Sequence, residues 1–352
     1  MSRFAVLALA CVFIFSCSHF RSQPADVLFE MAQEHRLTHF QSHCLITDLL
    51  GNVVYKFNGY LCVFKPDGEL IAGAFSADLT KYDSQLRVIW QRPWELNHQL
   101  KPSQFGPYYL TIRNNYVNEN KKLIRHDELL VFDEDGKEIK SFSFKPYVES
   151  LREKPRLNKL TSRRKNVYEY THINSIAETY IETDGKKELS GYVTYDKNSK
   201  QIFFLDKDMR SITAVAETGK RSLHDIAPIS ATEYIFYLNE IEPPSKNQND
   251  LQFSKIEIFN SKTGNFRLLY ENNKEVLISK ICSSVQYLSA GKLIVFHSAC
   301  PALSNPPEKR SHIEAVDLSR GESFILPVDA FKESIEAKLI NAEAFLKKTN
   351  GK

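Results

Sequence analysis

A hairpin signal recurs along this chain, and it limits the fold more than any other feature. Apolar residues run into a turn of Asp, Gly, Lys or Asn, and an alternating apolar strand runs out. Copies stand at Asp48-Leu49-Leu50-Gly51-Asn52-Val53-Val54-Tyr55 and at Phe64-Lys65-Pro66-Asp67-Gly68-Glu69-Leu70-Ile71. Others run from Val131 to Ile139, Leu205 to Ile212, Phe259 to Phe266 and Val316 to Phe324. Turn chemistry between strands of period two is what antiparallel hairpins require. Pairs of hairpins make four-stranded units near 60–93, 96–144, 172–217, 223–271 and 282–328, and residues 42–57 add two strands. Units of roughly 40–50 residues have the length of propeller blades. The expectation is an all-β β-propeller over 42–328, six-bladed with one irregular blade. A sandwich or barrel is the alternative.

Two segments break the pattern. Residues 145–170 hold Arg152, Lys154, Arg156, Lys159, Arg163, Arg164 and Lys165 among few apolar residues. This reads as a solvated insertion between blades. At the C-terminal end, Phe331, Ile335, Leu339, Ala342 and Leu346 fall at helical spacing, so 329–352 is expected to be an amphipathic helix. The stretch 25–40 is expected to hold a short helix after a tether, together spanning 18–41.

The first 17 residues read as an address. Arg3 precedes an apolar run from Phe4 to Phe15, and Ile14-Phe15-Ser16-Cys17 has the form of a lipobox, with Cys17 the lipidation site. Ser18 after that cysteine favours an outer-membrane anchor in the bacterial cell envelope. An ordinary cleaved signal or an uncleaved anchor fits the same run. With 46 basic against 43 acidic residues and no recognisable motif, nothing argues for nucleic acid. An exported chain meets an oxidising compartment, so Cys44, Cys62, Cys282 and Cys300 are disulfide candidates. Four cysteines allow three connectivities. No C-x-x-C or C-x-H spacing points to a metal site.

Three histidines each open a unit: Asn97-His98-Gln99, Thr171-His172-Ile173-Asn174-Ser175 and Leu223-His224-Asp225-Ile226. A ring of repeated units brings equivalent positions to one channel, so the imidazoles are expected to converge. Converging imidazoles serve acid–base or nucleophilic chemistry. Trp90 and Trp94 flank the first motif, as core packing or as an aryl-binding wall.

At these motifs, and over most of residues 45–328, the chain resembles the arylsulfate sulfotransferase family of exported propellers. His172-Ile173-Asn174-Ser175 is similar to its His-Ile/Leu-Asn-Ser motif. Leu223-His224-Asp225, followed by Tyr234 to Asn239, is similar to its His-Asp segment, and Asn97-His98-Gln99 more loosely to a His-His-Asp motif. The resemblance implies sulfuryl transfer from an aryl sulfate to a phenol through a sulfated histidine, without nucleotide donor, metal or other cofactor. It implies His224 as nucleophile, with His98 and His172 binding sulfuryl oxygens or moving a proton. Lys197 stands where the family places an arginine, which keeps the charge and loses the bidentate fork. Lys197, Asn174 and Tyr195 are the candidate substrate-binding residues. A second class fits the same strands: a non-catalytic propeller lipoprotein that binds a partner or small anion.

Overall fold

The computed structural model describes residues 35–39, 44–48, 53–59, 61–73, 78–151, 157–159, 166–219, 221–239, 255–271, 283–289, 291–297, 312–326, 336–340 and 342–350. Cys17, Cys282 and Cys300 lie outside them. No described helix is long and apolar enough to cross a membrane.

Among the described residues, β1 (His35–His39), β2 (Cys44–Asp48) and β3 (Val53–Phe57) come first and share one sheet. A second sheet follows: β4 (Leu61–Phe64), β5 (Leu70–Gly73), β6 (Leu79–Tyr82) and β7 (Val88–Arg92). The third holds β8 (Leu96–Pro102), β9 (Tyr108–Glu119), β10 (Lys122–Asp133) and β11 (Glu138–Ser143). Helix α1 (Lys145–Ser150) leads to β12 (Asn158–Lys159) and β13 (Val167–Glu169). The fourth is β14 (Ile173–Thr183), β15 (Lys186–Asp196), β16 (Gln201–Asp206) and β17 (Ile212–Glu217). The fifth is β18 (Ser222–Pro228), β19 (Glu233–Asn239), β20 (Lys255–Asn260) and β21 (Asn265–Glu271). The sixth is β22 (Ser284–Ser289), β23 (Lys292–His297), β24 (His312–Asp317) and β25 (Glu322–Leu326). Last come β26 (Glu336–Ile340) and helix α2 (Glu343–Asn350).

The first strands of successive sheets touch in the order β4, β8, β14, β18, β22, and β22 touches β26. The apolar clusters lie between neighbouring sheets. Leu110, Phe144, Ile173 and Phe203 join the third to the fourth, and Val193, Ile226, Tyr234 and Phe259 join the fourth to the fifth. Burying each large apolar side chain contributes about 1.5–3 kcal/mol, so the stacking of sheets carries the stability. The architecture is a β-propeller.

The recurring acidic turn now has a cause. Asp83, Asp133, Asp206, Asn260 and Asp317 each close the third strand of a sheet. Each side-chain oxygen accepts amide N–H groups from the following turn, as Asp206 does from Asp208, Arg210 and Ser211. Short Asx side chains mimic a backbone turn at such positions.

Three expectations need correction. Within the stretch 25–40, expected to hold a short helix, residues 35–39 form β1, and the rest lies outside the described residues. Residues 336–340 of the expected C-terminal helix form β26, which pairs antiparallel with β1, His35 opposite Ile340. Among the described residues of that stretch, helix runs over Glu343–Asn350, where Phe345 packs edge-on against Tyr55 and Phe64 at 5.1 and 4.8 Å between ring centroids. The N-terminal half-unit is thus a four-stranded sheet completed by the far end of the chain, because the open edge of β1 otherwise leaves a row of unpaired backbone groups. Third, the insertion 145–170 is not only a solvated loop: β13 adds parallel to β10 beyond the reach of β11.

Cys44 of β2 and Cys62 of β4 form a disulfide with Cα atoms 6.4 Å apart. It ties the sheet of β26, β1, β2 and β3 to its neighbour. Closing an 18-residue separation contributes about 3 kcal/mol by loop entropy. Reduction, or Cys62→Ala, is therefore expected to lower the unfolding free energy by about that amount. Urea titration with and without reductant reads the change, and coincident curves would refute a role in holding the ring.

Candidate functional site

The inner strands β8, β14 and β18 share an irregularity. In β8, Asn97 pairs with Ile112 and Leu100 with Thr111, so His98 and Gln99 bulge from the ladder. In β14 the break falls at Asn174, between Ile173 and Ser175. In β18 it falls at Asp225, between His224 and Ile226. A bulge re-aims side chains that strict alternation would send to the core. His98 (φ 58°) and Asp225 (φ 50°) occupy the left-handed region. His and Asp are among the side chains that enter it most readily.

The three histidines meet, His98 from within a bulge and His172 and His224 from just before one. His98 Nε2 and His172 Nε2 are 3.1 Å apart. The rings of His98 and His224 stand edge to face at 5.7 Å between centroids. Residues 74 apart along the chain, His98 and His172, are thus in hydrogen-bond contact. His224 donates through Nδ1 to the Ser283 carbonyl at 3.0 Å, so its lone pair sits on Nε2.

A buried charge cluster surrounds the pair. Arg125, on β10, is ion-paired with Glu169, at the end of β13. Its Nε lies 3.5 Å from Asp127. Glu169 Oε1 accepts from His172 Nδ1 at 2.8 Å. Asp127, fully buried, accepts from Asn97 Nδ2 at 3.3 Å and from the Ile173 amide at 2.8 Å. Burial pushes the Asp127 carboxyl up to about 7 against the pull of Arg125. Burial raises Glu169 as well, again opposed by Arg125.

Burial, then the charges of His172, His224, Arg125 and Lys197, holds His98 well below the ordinary imidazole value. Burial, then Arg125, Lys197 and His224, does the same to His172. Both imidazoles are therefore neutral near pH 7. Neutral imidazole is the nucleophilic and basic form.

The other sequence candidates fall in different places. Lys197 follows the last pair of β15, its amide bonded to the His172 carbonyl at 2.9 Å, and its charge acts on both His98 and His172. Among the described residues its ammonium makes no ion pair. Asn174 donates to the Leu223 carbonyl at 3.0 Å, tying the fourth sheet to the fifth. Tyr195 is a core residue whose hydroxyl donates to the Arg221 carbonyl at 2.9 Å, so it supports the sheet interface rather than a substrate. Trp90 and Trp94 pack on Phe132, and Trp90 donates to the Glu134 carbonyl at 2.9 Å, which makes them core residues.

Gln99 crosses the channel, donating to Asp225 at 2.9 Å and accepting from the Ile176 amide at 2.8 Å. Gln99 and Asp225 also line a cavity of about 410 Å³ shared by β4, β8, β18 and β22. Among the described residues no group of three or more His, Cys, Asp or Glu side chains is arranged to hold a metal ion.

Sequence reasoning missed Arg125, Asp127 and Glu169. A signal existed: Arg125-His126-Asp127-Glu128 is a run of four ionisable residues between apolar Leu123-Ile124 and Leu129-Leu130-Val131-Phe132, in the buried middle of its strand. Buried charge is the informative exception to the usual partition of residue types.

No family model matches the chain, and no curated protein matches it. Solved structures resemble it at low identity. An oligogalacturonate lyase in complex with manganese is 12% identical, with 84% of this chain and 78% of that chain covered and a TM-score of 0.45. The WD40 β-propeller domain of Doa1 is 12% identical over 74% of this chain and 71% of that one, with a TM-score of 0.41. A hydrazine synthase of Kuenenia stuttgartiensis is 12% identical over 82% and 69%, with a TM-score of 0.40.

The depressed imidazoles link the site to stability. Below about pH 6.5 the unfolded histidines bind protons that folded His98 and His172 refuse, so these two residues cost stability as pH falls. Asp127 acts oppositely, holding its proton in the folded state at higher pH than in the unfolded chain. The contrast between proteins isolates the histidines: His98→Asn/His172→Gln is expected to lose less stability than the parent between pH 7.5 and 5.5. Urea midpoints at the two pH values measure this, and equal losses would mean that the imidazoles titrate normally.

Proposed function

We propose that the protein transfers a sulfuryl group from an aryl sulfate to a phenol, with His224 as the transient carrier. The observation that carries the reading is the meeting of His98, His172 and His224 from three successive sheets, with His98 and His172 held neutral. In the first half-reaction the His224 Nε2 lone pair attacks sulfur. The bond from sulfur to the aryl oxygen breaks, and the phenolate leaves with the bonding pair, its charge countered by the Lys197 ammonium. In the second, a phenol gives its proton to His98 and its oxygen attacks the sulfur. The N–S bond breaks, its electron pair returns to His224 Nε2, and His98 releases the proton to solvent.

Support comes from the sequence motifs as well as the geometry. The lipobox at Cys17 accords with an exported lipoprotein at the cell envelope, where small aryl sulfates and phenols are the partners. A second reading, a non-catalytic propeller that holds a small anion, is favoured by one observation. Arg125 is already paired with Glu169 and Asp127, so it does not stand ready to stabilise the charge of a transferring sulfuryl group.

The test is release of phenol from a chromogenic aryl sulfate, with and without a phenolic acceptor. Acceptor-dependent release is expected, reduced at least about 10³-fold in His224→Ala, with label from a sulfur-35 donor retained on His224. Release no faster than in the variant, across several donors, would leave the anion-binding reading in its place.

A further inference from the structure

We propose that Glu169 fixes the proton positions of the His98–His172 pair, so that His98 presents Nδ1, not Nε2, as its basic nitrogen. The tautomers follow from geometry; their use in catalysis rests on the sulfuryl-transfer reading.

Glu169 is almost fully buried at the tip of β13, in the segment between the third and fourth sheets. Its Oε2 is paired with Arg125, and its Oε1 lies 2.8 Å from His172 Nδ1 and 3.4 Å from Asn198 Nδ2. An ionised carboxylate only accepts hydrogen bonds, so His172 Nδ1 carries the hydrogen. Arg125 also approaches that nitrogen, at 3.4 Å, but the same guanidinium nitrogen already donates to Glu169 at much closer range. The long contact does not compete. Neutral His172 then holds its lone pair on Nε2. His98 Nε2, 3.1 Å away, has to be the donor, and the lone pair of His98 is left on Nδ1.

The chain can carry a proton onward. A proton bound at His98 Nδ1 lets the Nε2 hydrogen pass to His172 Nε2, and the Nδ1 hydrogen of His172 pass to Glu169. Each N–H bond breaks as the next forms, and positive charge leaves the reacting sulfur without a side chain moving. The other titratable groups facing the pair are Arg125, Lys197 and His224. Glu169 touches neither reacting group in this scheme; it is a positioning residue.

Full-length protein with ¹⁵N-labelled histidine decides the matter through long-range proton–nitrogen correlation spectra at pH 7.5. The expected pattern is a protonated Nδ1 and bare Nε2 on His172, with the reverse on His98. In Glu169→Gln the amide oxygen stays on Arg125 and the amide N–H₂ faces His172, so His172 is expected to switch to the Nε2–H form. A parent spectrum with Nε2–H on His172, or with the nitrogen shifts of metal-bound imidazole, overturns the proposal. The parent spectrum alone decides this even if the variant does not fold. Kinetics test the catalytic use. If the parent transfers sulfuryl groups, Glu169→Gln is expected to lower kcat about 10²-fold with KM within about twofold. An unchanged kcat removes the catalytic role. A parent that transfers nothing sinks the proposed function, while the spectra still judge the tautomers.

Discussion

A strand that lines the centre of a ring of sheets is an edge, and its inward amides and carbonyls have no ladder to join. Such groups are costly to bury without partners. Here the inner strands of the fourth, fifth and sixth sheets are met by polar side chains of the sheet before. Asp127 and Gln99 of the third sheet accept from the Ile173 and Ile176 amides of the fourth. Asn174 of the fourth donates to the Leu223 carbonyl of the fifth. Asp225 and His224 of the fifth engage the Val285 amide and the Ser283 carbonyl at the sixth. The bulges that free Gln99, Asn174 and Asp225 for this work fall at or beside the three histidines. Thr111 and Thr194, on the second strands, donate to the Gln99 and Ser175 carbonyls beside two of the bulges. Closing the ring and assembling the site are one structural solution.

The charge cluster behind the histidines is a different kind of commitment. Burying each ion costs several kcal/mol, and only close pairing recovers it. Arg125, Asp127 and Glu169 are paired closely enough for that, but apolar residues would fill the same space more cheaply. Their position against His172 gives the cost a purpose. Arg125 holds Glu169, Glu169 holds the His172 ring, and the third sheet gains β13 to put Glu169 there.

The fold was legible where its signals are local. Period-two strands and Asp or Asn turn residues repeat because five of the sheets use an Asx turn after the third strand. The histidine motifs were legible for a related reason: Asn97-His98-Gln99 puts three polar residues where alternation demands an apolar one, and that run is the bulge. What failed was non-local. Glu336 to Ile340 has the composition of a helix as readily as a strand, and only its distant partner β1 decides the matter. Glu169 sat in a stretch whose many cations read as solvated loop, and its meaning depends on Arg125, 44 positions earlier. Tyr195 lies two residues from Lys197 in sequence, yet its side chain is buried in the core between the fourth and fifth sheets.

The pairing of β26 with β1 also orders events in time. His35 finds Ile340 only after nearly the whole chain between them has been made and arranged. Joining ends so far apart is entropically slow, and contacts of this separation form late. Until then β1 to β3 are an incomplete sheet with a bare edge, open to pairing with any other extended chain. The protein's most vulnerable moment is thus the interval between finishing its middle sheets and docking its last strand.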